Sequence, residues 1–426
     1  VANQERPDAP PAAEAREGRF DWGFLRSSAL VTVGLTAARV LGFAFSFLLA
    51  RALSAEAFGA VQYTITLATL VAIGTIPFAE QVLPWFISRH RADPAQLRAA
   101  LSTGLLLLGG VYGVTLLVAA PALALAGRLE LPVLVIFTGL TLFNLYAGLG
   151  RGFMAPGRLL AVYLGSNLLQ LVATLIALWA LGDGAATAVL LIYGLSYLPL
   201  IALLELARPL PLAVGRSGVR RETAGELLRF AAPVWASHTL YTLSFALDVL
   251  LLERFWGEAT VGVYALTKTI VLGFSFVPQG ITMLLMPRVA SAPASDHRRL
   301  LAVALGATMA VNAAALAVFL LVYEPFVAGL VGEVYFIGLR FGTVMALSAI
   351  AYGVHAILTS YLLGRNRPGL ETLSRAAMAA VMLLAGLALV PRLGAEGAAW
   401  ANLLTAAAGI LAYGAALLPR RRAGRP

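Results

Sequence analysis

Cysteine is absent from the 426 residues, and lysine occurs once, at Lys268. Without thiols there are no disulfides, zinc thiolates, iron–sulfur clusters or thiol nucleophiles, and the redox compartment cannot be read. The histidines His90, His238, His297 and His355 lie far apart, at no metal-ligand spacing. No HExxH, Walker-type phosphate loop or GxGxxG occurs, so no metal, cofactor or catalytic centre is expected. Charge is scarce too, at 12% of residues, against about 25% in soluble domains. In its place 60% of the chain is hydrophobic, with a mean hydropathy of +0.85. That is more apolar surface than a water-soluble globule hides. The composition implies an all-α polytopic membrane protein.

Runs of about 20 apolar residues, enough to cross ~30 Å of hydrocarbon, can be placed twelve times: 27–51, 58–86, 99–124, 131–150, 159–181, 185–206, 227–252, 260–287, 300–323, 335–362, 372–391 and 397–418. Residues 1–24, rich in Pro, Ala and charge and without an apolar core, are expected to form a disordered cytoplasmic tail and not a signal peptide. A second, basic tail is expected over 419–426. The net charge of +10 does not point to nucleic acid, because 30 of the 31 basic residues are arginines clustered between apolar runs. Of the arginines in tails and connections, 24 fall on one side of a twelve-span topology, against Arg51, Arg128, Arg254 and Arg392 on the other. This alternation predicts both termini and the 208–226 linker to be cytoplasmic, in the inner (cytoplasmic) membrane of the cell.

The chain also repeats itself. An offset of 203 places Leu25-Arg26 on Leu228-Arg229, Gly59 on Gly262 and Leu83-Pro84 on Met286-Pro287. After a small insertion the offset becomes 213, and Gly184-Ala185-Ala186 falls on Gly397-Ala398-Ala399. Two six-span lobes are therefore expected, 25–207 and 227–418, joined by the basic linker 208–226. Six spans return the chain to its starting side, so the pseudo-two-fold axis runs along the membrane normal, with a cavity between the lobes.

Ionisable groups at mid-membrane are costly unless they face protein or water, which marks them as functional candidates. Arg39 lies midway along span 1, and Lys268 about two turns into span 8. Tyr264, Lys268, Ser275 and Gln279 share one helical stripe, as do His238, Tyr241 and Asp248 on span 7 and Tyr352 and His355 on span 10. Together they predict a wet cavity lined by Arg39, Lys268, His238, Tyr241, Tyr264, Gln279 and His355, suited to an anionic or pyrophosphate-bearing substrate. Asp248 is a candidate for ion coupling. Internal pairing of Asp248 with Arg39 or Lys268 is the competing reading. Pro77 and Pro278, well inside long spans 2 and 8, are expected hinges, because proline frees a carbonyl and permits a bend.

The opening of each half resembles the polysaccharide biosynthesis (Wzx-like, oligosaccharide flippase) family of the multidrug/oligosaccharidyl-lipid/polysaccharide exporter superfamily. The residues that carry it are Arg39-Val-Leu-Gly-Phe, Ala50-Arg51 and Phe58-Gly59 in the first half. In the second they are Pro233, Asp248, Val261-Gly262-Val-Tyr264, Lys268, Pro287 and the late LGAEGAAWA at 393–401. The resemblance implies a V of two lobes that opens alternately to each side. It also implies a polyprenyl-diphosphate-linked oligosaccharide as substrate, moved to the outer leaflet, with membrane lipids and the glycosyltransferases or polymerase of the same pathway as partners. A cation-coupled drug antiporter and a membrane glycosyltransferase or ligase are the alternatives. The connections on the arginine-poor side are short and hold no closely spaced carboxylates, which argues against an enzyme.

Overall fold

The computed structural model describes residues 22–417 apart from 213, 216, 217, 292, 294 and 366. The expected tails, over residues 1–21 and 419–426, lie outside the described residues, and residues 22–24 open the first helix. Among the described residues there is no strand. Lobe 1 consists of α1 (Trp22–Ala52), α2 (Ala55–Val71), α3 (Leu83–His90), α4 (Pro94–Leu125), α5 (Leu131–Gly152), α6 (Pro156–Leu181), α7 (Ala186–Leu195) and α8 (Tyr197–Ala207). Lobe 2 consists of α9 (Arg221–Trp256), α10 (Glu258–Leu272), α11 (Phe276–Ser291), α12 (His297–Leu330), α13 (Gly338–Gly364), α14 (Pro368–Leu393) and α15 (Ala395–Leu417). The pairs α2/α3, α7/α8 and α10/α11 are each one interrupted span. Eleven segments among the described residues are long and apolar enough to cross a membrane, and the 23-residue α15 stands where the twelfth was expected.

Local chemistry sets the ends. Asp93 Oδ1 accepts the N–H groups of Ala95 and Gln96 at 2.9 and 3.1 Å, and Ser54 Oγ accepts that of Ala57 at 3.1 Å. These caps satisfy donors that the first turns of α4 and α2 leave free. Gly257, at φ +80°, turns α9 into α10 in a single residue, a conformation that side chains with a Cβ resist. The span 6 break at Ser196 lies one turn before Pro199, which cannot donate to the carbonyl of Leu195.

The two lobes follow the expected two-fold in how deeply their helices sit. Spans 4 and 10 (α5, α13) are the most enclosed of their lobes, and spans 3 and 9 (α4, α12) the least. The linker is shorter than expected, because α9 starts at Arg221 and takes in residues 221–226. It is also docked: Gly215 N–H donates to Ser102 Oγ at 3.1 Å and Arg220 N–H to Thr103 Oγ1 at 3.0 Å, both near the start of α4.

On the face away from the linker the lobes are held together. Spans 2 and 8 cross at Gly59 and Gly262, so closely that a Cβ on Gly59 would lie 1.8 Å from the Glu258 carbonyl oxygen. A Cβ on Gly262 would lie 2.1 Å from that of Ala55. Arg128 of lobe 1 pairs with Glu253 and lies 3.9 Å from Glu258, both of lobe 2. Arg51 donates to the Leu330 carbonyl at 3.0 Å. Along one flank the contact continues to the linker side, where Leu227, Phe230, Ala231 and Trp235 of α9 pack into the lobe 1 core around Phe78, Leu83 and Phe86. Along the other flank, spans 1 and 8 meet where Phe43 packs edge-on against Phe276.

Candidate functional site

Two of the three charges singled out in the sequence come together inside lobe 2. Asp248, on α9, is fully buried. Its Oδ2 accepts Lys268 Nζ at 2.6 Å, the Tyr264 hydroxyl at 2.6 Å and Asn402 Nδ2 at 2.9 Å. Its Oδ1 accepts the backbone N–H of Val249 at 2.8 Å. Lys268 also donates to the Phe245 carbonyl at 2.8 Å. Periodicity brings the lysine and tyrosine to the aspartate: both lie on one face of α10, four residues apart, while α15 supplies Asn402 from the other side. Burial of a carboxylate is tolerable only with a counter-charge and filled lone pairs, and here both conditions are met.

The internal ion pair therefore forms with Lys268 and not with Arg39. Lys268 keeps 19% of its side chain accessible, and these contacts use two of its three N–H groups. Tyr264, expected on a cavity wall, is fully buried. Its hydroxyl serves the carboxylate, and its ring stacks 5.9 Å from Phe341. Tyr352 reaches the network at its edge, 3.4 Å from Asn402 Oδ1.

Arg39 stands apart. It is exposed, and it makes no ion pair among the described residues; its guanidinium lies 5.4 Å from the centroid of the Phe276 ring. That cation–π contact points the lobe 1 cation at span 8, the span that carries Lys268. The lobe 1 guanidinium thus meets span 8 about two turns along from Lys268.

The remaining candidates divide. Tyr241 is 41% exposed and lies under the guanidinium of Arg375 at 5.0 Å, which also donates to the Ser237 carbonyl at 3.2 Å. His238, half-buried, is next to that group in sequence. Gln279 donates to Ser275 Oγ at 3.1 Å within its own span. His355 is not a cavity residue: it is buried, hydrogen-bonded to Ser374 Oγ at 2.9 Å, and stacked on Tyr413 at 5.1 Å. Its polar stripe faces spans 11 and 12 instead. Pro77 precedes a π-helical turn, Phe78–Val82, and Pro278 follows a 3-10 turn, Gly273–Ser275. Both spans are irregular at the expected places.

Sequence reasoning missed Asn402, the only amide in its Ala-rich helix, and Glu80, a carboxylate inside the π-turn that meets Arg151 at 3.1 Å. A lone acid within an apolar run was signal enough for Glu80. The same reasoning counted Arg375 and Arg128 only toward topology.

A family model described as "Polysaccharide biosynthesis protein" matches residues 24–293. No curated protein matches the chain. Among solved structures, an inward-facing multidrug resistance MATE family transporter of the MOP superfamily is 16% identical, covering 90% of this chain and 94% of its own, at a TM-score of 0.70. The lipid II flippase MurJ, in an inward closed conformation, is 13% identical, covering 90% and 86%, at 0.66. A MOP superfamily transporter from Pyrococcus furiosus is 16% identical, covering 91% and 93%, at 0.61. Identities this low speak for the fold alone. With two six-span lobes on a common axis, the chain has the fold of the MOP transporters and belongs to the polysaccharide biosynthesis protein family.

Proposed function

We propose that the protein flips a polyprenyl-diphosphate-linked oligosaccharide from the cytoplasmic to the outer leaflet, by alternate opening of its two lobes, in cell-surface polysaccharide assembly. The observation that carries this reading is Arg39: an exposed guanidinium midway along a span, without a carboxylate among the described residues, aimed at the other lobe. A cation there is costly in a bilayer unless water or an anion meets it, and a guanidinium matches phosphate oxygens well. The diphosphate is the anion a lipid-linked glycan brings. Family membership and the fold shared with MurJ, a lipid II flippase by name, support the same substrate class. Glycosyltransferases or a polymerase would supply and consume the lipid on the two sides. On this reading both termini and the linker are cytoplasmic, and the tightly joined face is the outer one. A cation-coupled antiporter would need a carboxylate free to take up its ion, and any ion at Asp248 would have to displace the Lys268 ammonium.

A charge-assisted contact to phosphate is worth about 1.5–3 kcal/mol, or roughly tenfold or more in affinity. Glycolipid flipping by Arg39→Gln in proteoliposomes should therefore fall at least about tenfold with unchanged thermal stability, and Arg39→Lys should keep part of the activity. Normal flipping by Arg39→Gln would overturn the reading.

A further inference from the structure

The internal repeat supplies a control for the buried network of lobe 2. The offset of 203 places Asp248 on Phe45, Tyr264 on Val61 and Lys268 on Ile65, and the offset of 213 places Asn402 on Val189. Every member of the polar quartet thus has an apolar counterpart in lobe 1. Phe45, Val61 and Val189 are buried in one hydrophobic cluster, with Ile65 packed against it. The same architecture is therefore built once with hydrocarbon and once with a charge pair. Replacing a buried ion pair by well-packed apolar side chains is often neutral or stabilising. By that comparison the fold does not require the quartet in lobe 2.

Its geometry is also uneven. Asp248 is sealed, while Lys268 is one-fifth accessible and has an unused N–H. If the ammonium left, the carboxylate would still accept from the Tyr264 hydroxyl, Asn402 Nδ2 and Val249 N–H. The pair is built so that one side can detach.

We propose that Asp248 is an internal stand-in for the substrate's phosphate: Lys268 rests on it when the cleft is empty and turns to the phosphate when the lipid is bound. This rests on the flippase reading and adds a specificity role for a residue that cannot itself touch the substrate. The competition sets how tightly the anion is held, so that substrate captured on one side can be released on the other. A ligand moves a conformational equilibrium only through unequal contacts with its states, and a lysine that exchanges carboxylate for phosphate is such an inequality.

The test is equilibrium binding of a polyprenyl diphosphate esterified by one sugar to the full-length protein in nanodiscs. Asp248→Asn keeps the shape and frees the ammonium, so binding should tighten several-fold or more while flipping slows. Lys268→Gln should weaken binding about tenfold. Adding Asp248→Asn to Lys268→Gln should then change nothing further, since the carboxylate acts only through the lysine. The replacement copied from lobe 1, Asp248→Phe with Tyr264→Val, Lys268→Ile and Asn402→Val, should assemble as a folded protein and bind no better than Lys268→Gln. Unchanged or weaker binding by Asp248→Asn would overturn the proposal, as would failure of both it and the fourfold variant to fold. If the native protein does not bind this lipid, the flippase reading falls and takes the proposal with it.

Discussion

At the residue scale, the lobe 2 network ranks its members in an unusual order. Breaking a buried ion pair from one side commonly costs about 3–5 kcal/mol, because the abandoned charge has no partner. Asp248 is better provided for, since three other donors remain when Lys268 is gone. Lys268→Met should therefore cost less than that, about 1–2 kcal/mol. Tyr264→Phe removes a fully buried donor at 2.6 Å and the acceptor of an Asn402 N–H at 2.9 Å, and it should cost about 1–3 kcal/mol. Thermal unfolding of the two variants in one detergent checks the order: a Lys268→Met protein clearly less stable than Tyr264→Phe would mean that the ammonium, not the neutral donors, holds the carboxylate.

The residue scale is also where the sequence was hardest to read. A polar stripe on a membrane helix must avoid lipid, but avoiding lipid is satisfied equally by a wet cavity and by a neighbouring helix. Asp248 and Lys268 were legible as charges at depth, yet their pairing joins residues 20 apart, and Asn402 enters from 154 residues away. The stripe through His355 looked the same in sequence and turned out to face Ser374 and Tyr413. Periodicity reports which side of a helix is polar; it does not report what lies opposite.

At the scale of whole elements, the spans were legible to within a few residues, because a 20-residue apolar run bounded by arginine has few alternative placements. Prolines also located the irregular stretches of spans 2 and 8. The matched glycines of the repeat acquired their meaning only in three dimensions, as the point where those spans cross. At Gly59 an added Cβ would meet backbone, which cannot rotate aside as a side chain can. Gly59→Leu should force α2 and α10 apart. In the cysteine-free chain, spin labels at Leu129→Cys and Ala259→Cys, exposed positions on either side of the Arg128–Glu258 contact, report on it. Their separation should lengthen in the Gly59→Leu protein, and an unchanged distance would show that the crossing tolerates a side chain.

For the molecule as a whole, the arginine distribution predicts which face looks inward. Pro209 is exposed in the linker, so Pro209→Cys should resist a membrane-impermeant thiol reagent applied to intact cells and react once the membrane is opened. Labelling in intact cells would invert the topology, and the direction of transport proposed here with it.

Helix α9 gives this two-lobed body a mechanical character. It runs 36 residues without interruption, about 54 Å at 1.5 Å per residue. Its first turns are wedged into lobe 1 through Leu227, Phe230 and Ala231, while from Ser237, which is hydrogen-bonded to Arg375, it belongs to lobe 2. Pro233, where the ladder lacks one rung, lies inside the anchored stretch, because Trp235 beyond it also packs into lobe 1 and donates to the Gly74 carbonyl at 2.8 Å. The linker before the helix is tied to α4 at Gly215 and Arg220. Rocking of the lobes must then be taken up by the helical beam beyond Trp235, or by prising its root, missing rung included, from the lobe 1 socket.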